Sequence, residues 1–407
     1  MENRKNYFIE KFSCLLFFAF IISNFLPSNL RNIVAILLLV ISIVYVFKEK
    51  IKFTTDSDAL KLLKSYVYFF LIILLFATYH NSSIQELDTY SRFILILPLF
   101  YLFSRVRINQ KHFYITIIIT SLIAGVTSLY LYIDRDVGIE RISGFTSVSI
   151  SFGNMSMTIF LLALISLMQK NTNRIKILLI ISMILSLLAW SLSLSKGSLI
   201  GLFISVVYLI FSKELILSKK SFITVLILFV SFVYLSPAKQ SLDRLYYDIT
   251  NSSGHLSEIY KDKDISFSTK ERVFLLLNAK EIIDDNFFTG IGFSNFKEHI
   301  VKKTELDNRQ YGMAHHDHVH NDFIDVWVKA GAFTVLALIY FFFIHLRVLT
   351  KYRREKGDFF SLVAIVLLLS QIGFMMTQTQ FAHHQPTLFF LLLLIVATSQ
   401  VFLKSRT

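Results

Sequence analysis

The chain is organised as apolar runs separated by polar segments. Twelve runs can be delimited, at 12–27, 30–47, 64–80, 90–104, 113–133, 150–168, 175–195, 197–212, 220–236, 321–346, 358–378 and 385–403. Most approach the length of about 20 apolar residues that a helix needs to cross a bilayer, where a helix satisfies its own backbone groups. The pattern therefore predicts an all-α membrane protein of about 12 transmembrane helices.

One long polar segment interrupts this pattern between the ninth and tenth runs. It begins at Pro237, which ends the ninth helix because proline has no backbone N–H, and it extends to His320. We predict three parts: transmembrane helices 1–9 over 1–236, a large outer loop subdomain over 237–320, and transmembrane helices 10–12 over 321–407.

The composition excludes several classes of protein. Hydrophobic residues make up 54% of the chain and charged residues only 17%, against roughly 25% charged in a soluble domain. A water-soluble fold with this composition would expose a large apolar surface. The net charge is +13, but Lys and Arg form short clusters between the apolar runs rather than one basic face, so we expect no nucleic-acid binding.

The basic residues predict the orientation of the helices. More than half of the 41 Lys and Arg residues lie near the two termini or in alternate connections, at 48–64, 105–111, 170–176, 213–220 and 347–356. Because short cytoplasmic connections carry an excess of Lys and Arg, we expect both termini in the cytoplasm and the long loop on the opposite side. The first run lacks a small-residue cleavage site, which predicts an uncleaved helix rather than a signal peptide.

Four histidines lie within six residues just before the tenth run, namely His315, His316, His318 and His320. Imidazole is a common metal ligand, but a two-residue spacing is not typical of a zinc site. The next residue, Asn321, is a good N-cap, and an imidazole just above a helix start suits a general base. We therefore predict no metal here and take His320 as the candidate base.

His320-Asn321 is followed after nine residues by Gly331 and after two more by Thr334. This spacing resembles the signature of the O-antigen ligase family, the bacterial enzymes that attach polysaccharide to the lipopolysaccharide core. The signature begins at the end of the largest outer loop, which is also its place in the family.

A second stretch resembles the same family. Residues 270–274 read KERVF and residues 288–296 read FTGIGFSNF, similar to the family's arginine on an aromatic-rich helix and the Gly-x-Gly turn after it. The apolar spacing over 270–284 itself predicts a helix, and Gly290 and Gly292 predict the turn. The resemblance gives Arg272 its importance, since a lone arginine in a loop is more often a solvated surface charge.

A third stretch, 193–198, reads SLSKGS and resembles the family's Ser-Arg-Gly segment. Lys196 stands where the family commonly has arginine, so the positive charge is kept but the planar fork that grips two phosphate oxygens is lost. Independently of the family, a cation between two apolar runs costs about 2.5–3.5 kcal/mol at the bilayer centre unless it meets an anion. The alternative is a lysine that snorkels to the lipid headgroups.

Four further residues are weaker candidates. Arg92 and Arg141 would either extend a phosphate site or act as interfacial anchors. His383 and His384 lie in the last outer turn and are candidates to line the same cavity.

The resemblance implies a metal-independent, inverting glycosyl transfer without a cofactor, at the periplasmic face of the bacterial inner membrane. The donor would be a polysaccharide on undecaprenyl pyrophosphate and the acceptor a sugar hydroxyl of lipid A-core, with membrane lipids around both. Arg272 and Lys196 would bind the pyrophosphate and stabilise it as it leaves. His320 would accept the proton of the acceptor hydroxyl.

Other functions stay open at this point. An O-antigen polymerase uses the same donor but extends another lipid-linked chain, and a protein O-oligosaccharyltransferase of the same superfamily is usually longer. A polytopic transporter or flippase would suit twelve helices, although transporters place charges near the bilayer midplane, whereas these charges border the membrane faces. The polysaccharide, the acceptor sugar, the linkage and the oligomeric state are not specified by these motifs.

Overall fold

A computed structural model describes residues 2–27, 29–48, 56–134, 141–215, 231–251, 265–306 and 316–403. Within these ranges all regular structure is helical. In chain order the helices are α1 (Glu2–Ser23), α2 (Asn29–Lys48), α3 (Ser57–Tyr79), α4 (Asp88–Leu95), α5 (Leu97–Phe103), α6 (Gln110–Ile133), α7 (Ser149–Leu167), α8 (Asn173–Ser193), α9 (Ser198–Phe211), α10 (Ala238–Asn251), α11 (Phe267–Asp285), α12 (Phe293–Leu306), α13 (Asp322–Lys356), α14 (Phe359–Met375) and α15 (His384–Val401). A short 3-10 helix, Ile84–Leu87, precedes α4.

The predicted apolar runs coincide with helices wherever the structure describes them. One difference concerns the fourth run: the sequence predicts a single helix over 90–104, whereas the structure has two helices there, α4 and α5. Pro98 lies in the first turn of α5 and has no N–H to donate, so the helix is interrupted around Ile96. The ninth run, 220–236, lies mostly outside the described residues.

Seven described helices are long and apolar enough to cross a membrane, namely α2, α3, α6, α7, α8, α13 and α15. Two more apolar helices, α9 and α14, are shorter. The chain is therefore a multi-pass membrane protein whose described regular structure is all helical, whereas the number of twelve crossings and the boundaries of the loop subdomain stay predictions.

Connections that the sequence predicts to be cytoplasmic contact one another at one end of the helix bundle. The side chain of Gln400, near the end of α15, accepts a hydrogen bond from the backbone N–H of Ile108 at 2.8 Å. Lys351, near the end of α13, pairs with Asp58 at the start of α3 at 3.0 Å. The basic segments are thus collected at this end.

The connections predicted to lie outside meet at the other end. Gln385, at the start of α15, donates a hydrogen bond to the carbonyl oxygen of Asn24 after α1 at 2.8 Å. The N–H of Ile142 donates to the carbonyl oxygen of Leu192 near the end of α8 at 3.0 Å. Which end faces the cytoplasm stays a prediction from the basic residues.

Helix α13 is kinked at Gly331, whose backbone angles (φ 76°, ψ 177°) are not helical. A kink deprives the carbonyl groups before it of their usual helical donors. The predicted Gly-x-Gly turn supplies new ones: Ile291 N–H donates to the carbonyl of Val328 at 2.9 Å, and Gly292 N–H donates to that of Lys329 at 3.0 Å. The turn is therefore joined to α13 through backbone atoms.

Thr334, the last residue of the predicted signature, also bonds to the backbone at the kink. The hydroxyl of Thr334 donates to the carbonyl of Ala330 at 2.7 Å, and the N–H of Ala332 donates to the carbonyl of Phe287 at 3.0 Å. Gly331 and Thr334 thus shape the backbone that supports the loop subdomain.

A small apolar core holds the same subdomain on α13. Phe274, Leu275 and Ile282 of α11 pack with Phe296 of α12 and Val328 of α13, and all five are buried. Burial of each such side chain contributes about 1.5–3 kcal/mol. The helix predicted over 270–284 is confirmed as α11, and its position relative to α13 follows from this core.

Replacement of Gly331 by alanine is expected to destabilise the protein. The new Cβ would lie 2.0 Å from the carbonyl oxygen of Phe288, and the positive φ adds strain of about 1–3 kcal/mol. Gly357 is a matched control because it also has a positive φ, 62°, but a Cβ there would meet nothing within 4 Å. Thermal unfolding in detergent should show a much larger loss for Gly331→Ala than for Gly357→Ala; equal losses would contradict the role given to the kink.

Candidate functional site

The position of His320 is determined by the residue that follows it. Asn321 is the N-cap of α13, where its side-chain oxygen accepts hydrogen bonds from the N–H groups of Phe323 and Ile324. Its side-chain nitrogen donates to the carbonyl oxygen of Met376 at 3.1 Å. Asn321 therefore connects the start of α13 to the segment between α14 and α15, and His320 lies at that junction with a positive φ of 59°.

The imidazole of His320 has one nitrogen engaged and one available. Nδ1 lies 2.7 Å from Oε1 of Gln378, which can only accept, so Nδ1 carries the proton. Nε2 is buried and has no hydrogen-bond partner in the described part of the chain. Its lone pair is therefore available, as a proton acceptor or a metal ligand requires.

The surroundings of His320 favour its neutral form. Burial and, to a lesser extent, the nearby His318, Arg272 and His316 lower the pKa of His320 to about 4, whereas the hydrogen bond to Gln378 opposes the shift. The influence of Arg272 on this pKa also indicates that the two side chains are close.

Polar contacts extend from Gln378 to the start of α15. The Gln378 side-chain nitrogen donates to Nε2 of His383 at 3.0 Å. The buried carboxylate of Asp322 accepts hydrogen bonds from the backbone N–H groups of Gln380 at 2.7 Å and of Phe381 at 3.0 Å. These bonds hold the 376–384 segment against the first turn of α13, so Gln378 is held opposite His320.

Arg272 lies one turn into α11, whose start is held by Asp248 of α10. The buried Asp248 carboxylate accepts hydrogen bonds from Ser266, at both N–H and Oγ, and from the hydroxyl of Thr269. Burial lowers the pKa of Arg272, and Glu271 partly offsets the effect. Among the described residues the guanidinium of Arg272 has no hydrogen-bond or ion-pair partner, although it is partly buried.

Lys196 lies in the tight turn between α8 and α9. Trp190 closes the turn, because its indole N–H donates to the carbonyl of Ser195 at 2.8 Å and to Oγ of Ser198 at 2.7 Å. Gly197 allows the turn to pack on the segment after α14, since a Cβ there would lie 1.9 Å from the hydroxyl oxygen of Thr377. The sequence SLSKGS therefore brings a lysine next to the segment that carries Gln378.

The electrostatics of Lys196 identify its neighbours. Burial lowers its pKa, Asp248 raises it, and three arginines lower it: Arg272, Arg141 and Arg244. Within the described ranges the ammonium group has no hydrogen-bond or ion-pair partner. Lys196 thus lies within electrostatic range of three other cations.

The structure therefore brings the three predicted site residues to the same end of the bundle. Lys196 lies close enough to Arg272 for their charges to interact, and Arg272 lies close enough to His320 to lower the pKa of its imidazole. The roles assigned to these residues stay predictions.

The weaker candidates divide into two groups. Arg141 joins the cations around Lys196, and His383 joins His320 through Gln378. Arg92 instead contacts His384 at 2.6 Å and Asp88 at 3.3 Å, in a separate group between α4 and α15.

Three site residues were missed by sequence reasoning. Gln378 and Asp248 belong to other segments and carry no motif of their own, whereas Glu271 lies in the 270–274 stretch but was given no role. Glu271 is adjacent to Arg272 and contacts His316. Together with His316 and His320 it forms a group whose ligand atoms all lie within 4.8 Å of one another. The run of histidines suggests metal binding, but the sequence does not show that the Glu271 carboxylate lies beside it.

Comparison with known proteins supports the family resemblance. Residues 181–340, which carry all three motifs and the kink of α13, match a family described as O-antigen ligase. An uncharacterized protein of Haemophilus influenzae is 24% identical over 372 residues, which cover 88% of this chain and 90% of that relative. The resemblance to the O-antigen ligase family that the sequence predicts is thereby confirmed over residues 181–340.

Proposed function

We propose that this protein is an O-antigen ligase, which transfers a polysaccharide from undecaprenyl pyrophosphate to lipid A-core at the periplasmic face of the inner membrane. The observation that supports this most directly is that two partly buried cations, Lys196 and Arg272, form no direct ion pair or hydrogen bond with a described residue. Uncompensated charges at a membrane boundary are costly and indicate an anionic ligand. A lipid-linked pyrophosphate is such an anion.

The cations would act on the leaving group. When the bond between the anomeric carbon and the pyrophosphate oxygen breaks, negative charge accumulates on the pyrophosphate. Fixed positive charges in a water-poor site stabilise that charge, which is usually the largest single contribution to catalysis. Arg272 would hold two oxygens at once, whereas Lys196 would act as a point charge.

His320 would accept the proton of the acceptor. Its Nε2 lone pair has no partner, and Gln378 holds the proton on Nδ1. The acceptor hydroxyl oxygen would bond to the anomeric carbon, its proton would pass to Nε2, and undecaprenyl pyrophosphate would leave. Direct attack inverts the anomeric centre, and no nucleotide is needed because the donor already carries its leaving group.

His320→Ala and Arg272→Ala should each abolish attachment of the polysaccharide, with rates at least about 100-fold lower. Each variant is expressed in a deletion strain, and lipopolysaccharide gels are compared with the amount of membrane-inserted protein. Arg92→Ala is a matched control, since Arg92 contacts Asp88 and His384 instead. Normal attachment in the His320→Ala strain would exclude this base.

The same gels separate a ligase from a polymerase. Loss of a ligase leaves core without polysaccharide and unligated chains on the lipid carrier. Loss of a polymerase leaves single repeat units on core, and that pattern in the deletion strain would replace the present proposal.

Lys196→Arg should retain activity, whereas Lys196→Glu should lose it, because the proposal requires a positive charge beside the pyrophosphate and not an ammonium group. Donor consumption by purified protein in detergent measures both variants. Equal activity of the two would show that Lys196 does not bind the pyrophosphate.

Gln378 is expected to be a positioning residue. Gln378→Leu removes the acceptor for the Nδ1 proton and should lower kcat about 100-fold with little change in KM, as misplacement of a catalytic group does. Gln378→Glu still accepts that proton and should retain more activity than Gln378→Leu. A purely structural role would instead lower the amount of folded protein in both variants, and wild-type kcat in Gln378→Leu would contradict the assignment.

A further inference from the structure

The group formed by Glu271, His316 and His320 has the composition of a metal site. Glu271 lies on α11, while the two histidines lie in the segment before α13, and all three side chains are partly buried. The carboxylate of Glu271 contacts Nε2 of His316, although the residues are 45 positions apart. Two imidazoles and one carboxylate are a common ligand set of zinc enzymes, with a fourth position open to water.

The third ligand atom is already oriented. His320 donates from Nδ1 to Gln378, and its Nε2 has no partner in the described part of the chain. Metal-binding histidines typically donate their other N–H to a fixed acceptor, which sets the tautomer and the ring orientation. Gln378 provides this support for His320.

The distances require only a small movement. Bonds of about 2.0–2.2 Å to a tetrahedral ion place ligand atoms roughly 3.4 Å apart, and the three atoms here lie within 4.8 Å of one another. Rotation of the Glu271 and His316 side chains would separate the two atoms now in direct contact and admit the ion between the three ligands.

We propose that Glu271, His316 and His320 bind a divalent transition-metal ion such as Zn²⁺, and that the bound ion inhibits the enzyme. Imidazole nitrogens favour zinc and its neighbours over Mg²⁺ or Ca²⁺, which prefer oxygen ligands. The ion would occupy the Nε2 lone pair that the acceptor proton needs. Inhibition rests on the proposed function, whereas binding does not.

Binding is tested on the tag-free, full-length protein in detergent, stripped with EDTA and titrated with ZnCl₂ by isothermal calorimetry. One site per chain is expected, and Glu271→Gln and His316→Ala should each weaken binding at least about tenfold. His112→Ala, at the opposite end of the bundle, should bind as wild type does.

Thermal unfolding without zinc first establishes that each variant is folded, and His316→Gln replaces His316→Ala if the latter is not. Absence of a site in the wild type, or wild-type affinity in both cluster variants, would overturn the proposal.

Inhibition is measured by donor consumption over the same range of ZnCl₂. The rate of the wild type should fall with a midpoint near the calorimetric Kd and should recover when EDTA is added. Half-maximal inhibition of His316→Ala should require at least about tenfold more zinc. Each protein is compared with its own zinc-free rate. Binding without inhibition would refute the inhibitory role. Loss of activity in EDTA would overturn both that role and the metal-independent mechanism. If the wild type binds no zinc and the His320→Ala variant is inactive, the metal site is rejected but the proposed function is still supported.

Discussion

The backbone pairing at the kink of α13 is the interaction on which the site depends. Gly331 leaves carbonyl groups of the first turns without helical donors, and the turn containing Ile291 and Gly292 satisfies them. Unpaired backbone groups next to a bilayer are costly, so the kink and the turn stabilise each other. Because the turn follows α11 directly, the same bonds place Arg272 near the start of α13. The geometry of the candidate site therefore depends on main-chain hydrogen bonds some distance from its side chains.

A second constraint is that the acidic side chains near Lys196 and Arg272 make hydrogen bonds or contacts with other residues. Asp248 lies near Lys196, but its carboxylate accepts hydrogen bonds from Ser266 and Thr269, and these bonds, working against its burial, keep its pKa low. Glu271 is adjacent to Arg272 but contacts His316. Each acid thus has other donors, and the two cations stay available for a ligand. An anion that enters this space gains charge interactions that the protein has not already satisfied internally.

The residues around His320 suit its imidazole to two proposed roles, as a proton acceptor and as a metal ligand. Gln378 sets the tautomer, and the resulting Nε2 lone pair suits a proton acceptor as well as a metal ligand. Arg272 favours the first use, because its charge opposes a second cation nearby. Glu271 and His316 favour the second, because they add two ligands on the same side. The proposed catalytic role and the proposed metal site therefore share one group of side chains.

The sequence by itself determined the features that depend on residues close together in the chain, namely the helices and the motifs. Apolar periodicity predicted the helices and the period over 270–284 predicted α11, because these signals reside in neighbouring residues. The motifs around Lys196, Arg272 and His320 identified the family and the candidate residues. Only the tertiary structure decided that Gln378 faces His320 and that Glu271 faces His316, since these pairs are 58 and 45 positions apart. Such contacts follow from packing of α11, α13 and the segment after α14, and packing depends on the whole surface of each helix rather than on the spacing within one.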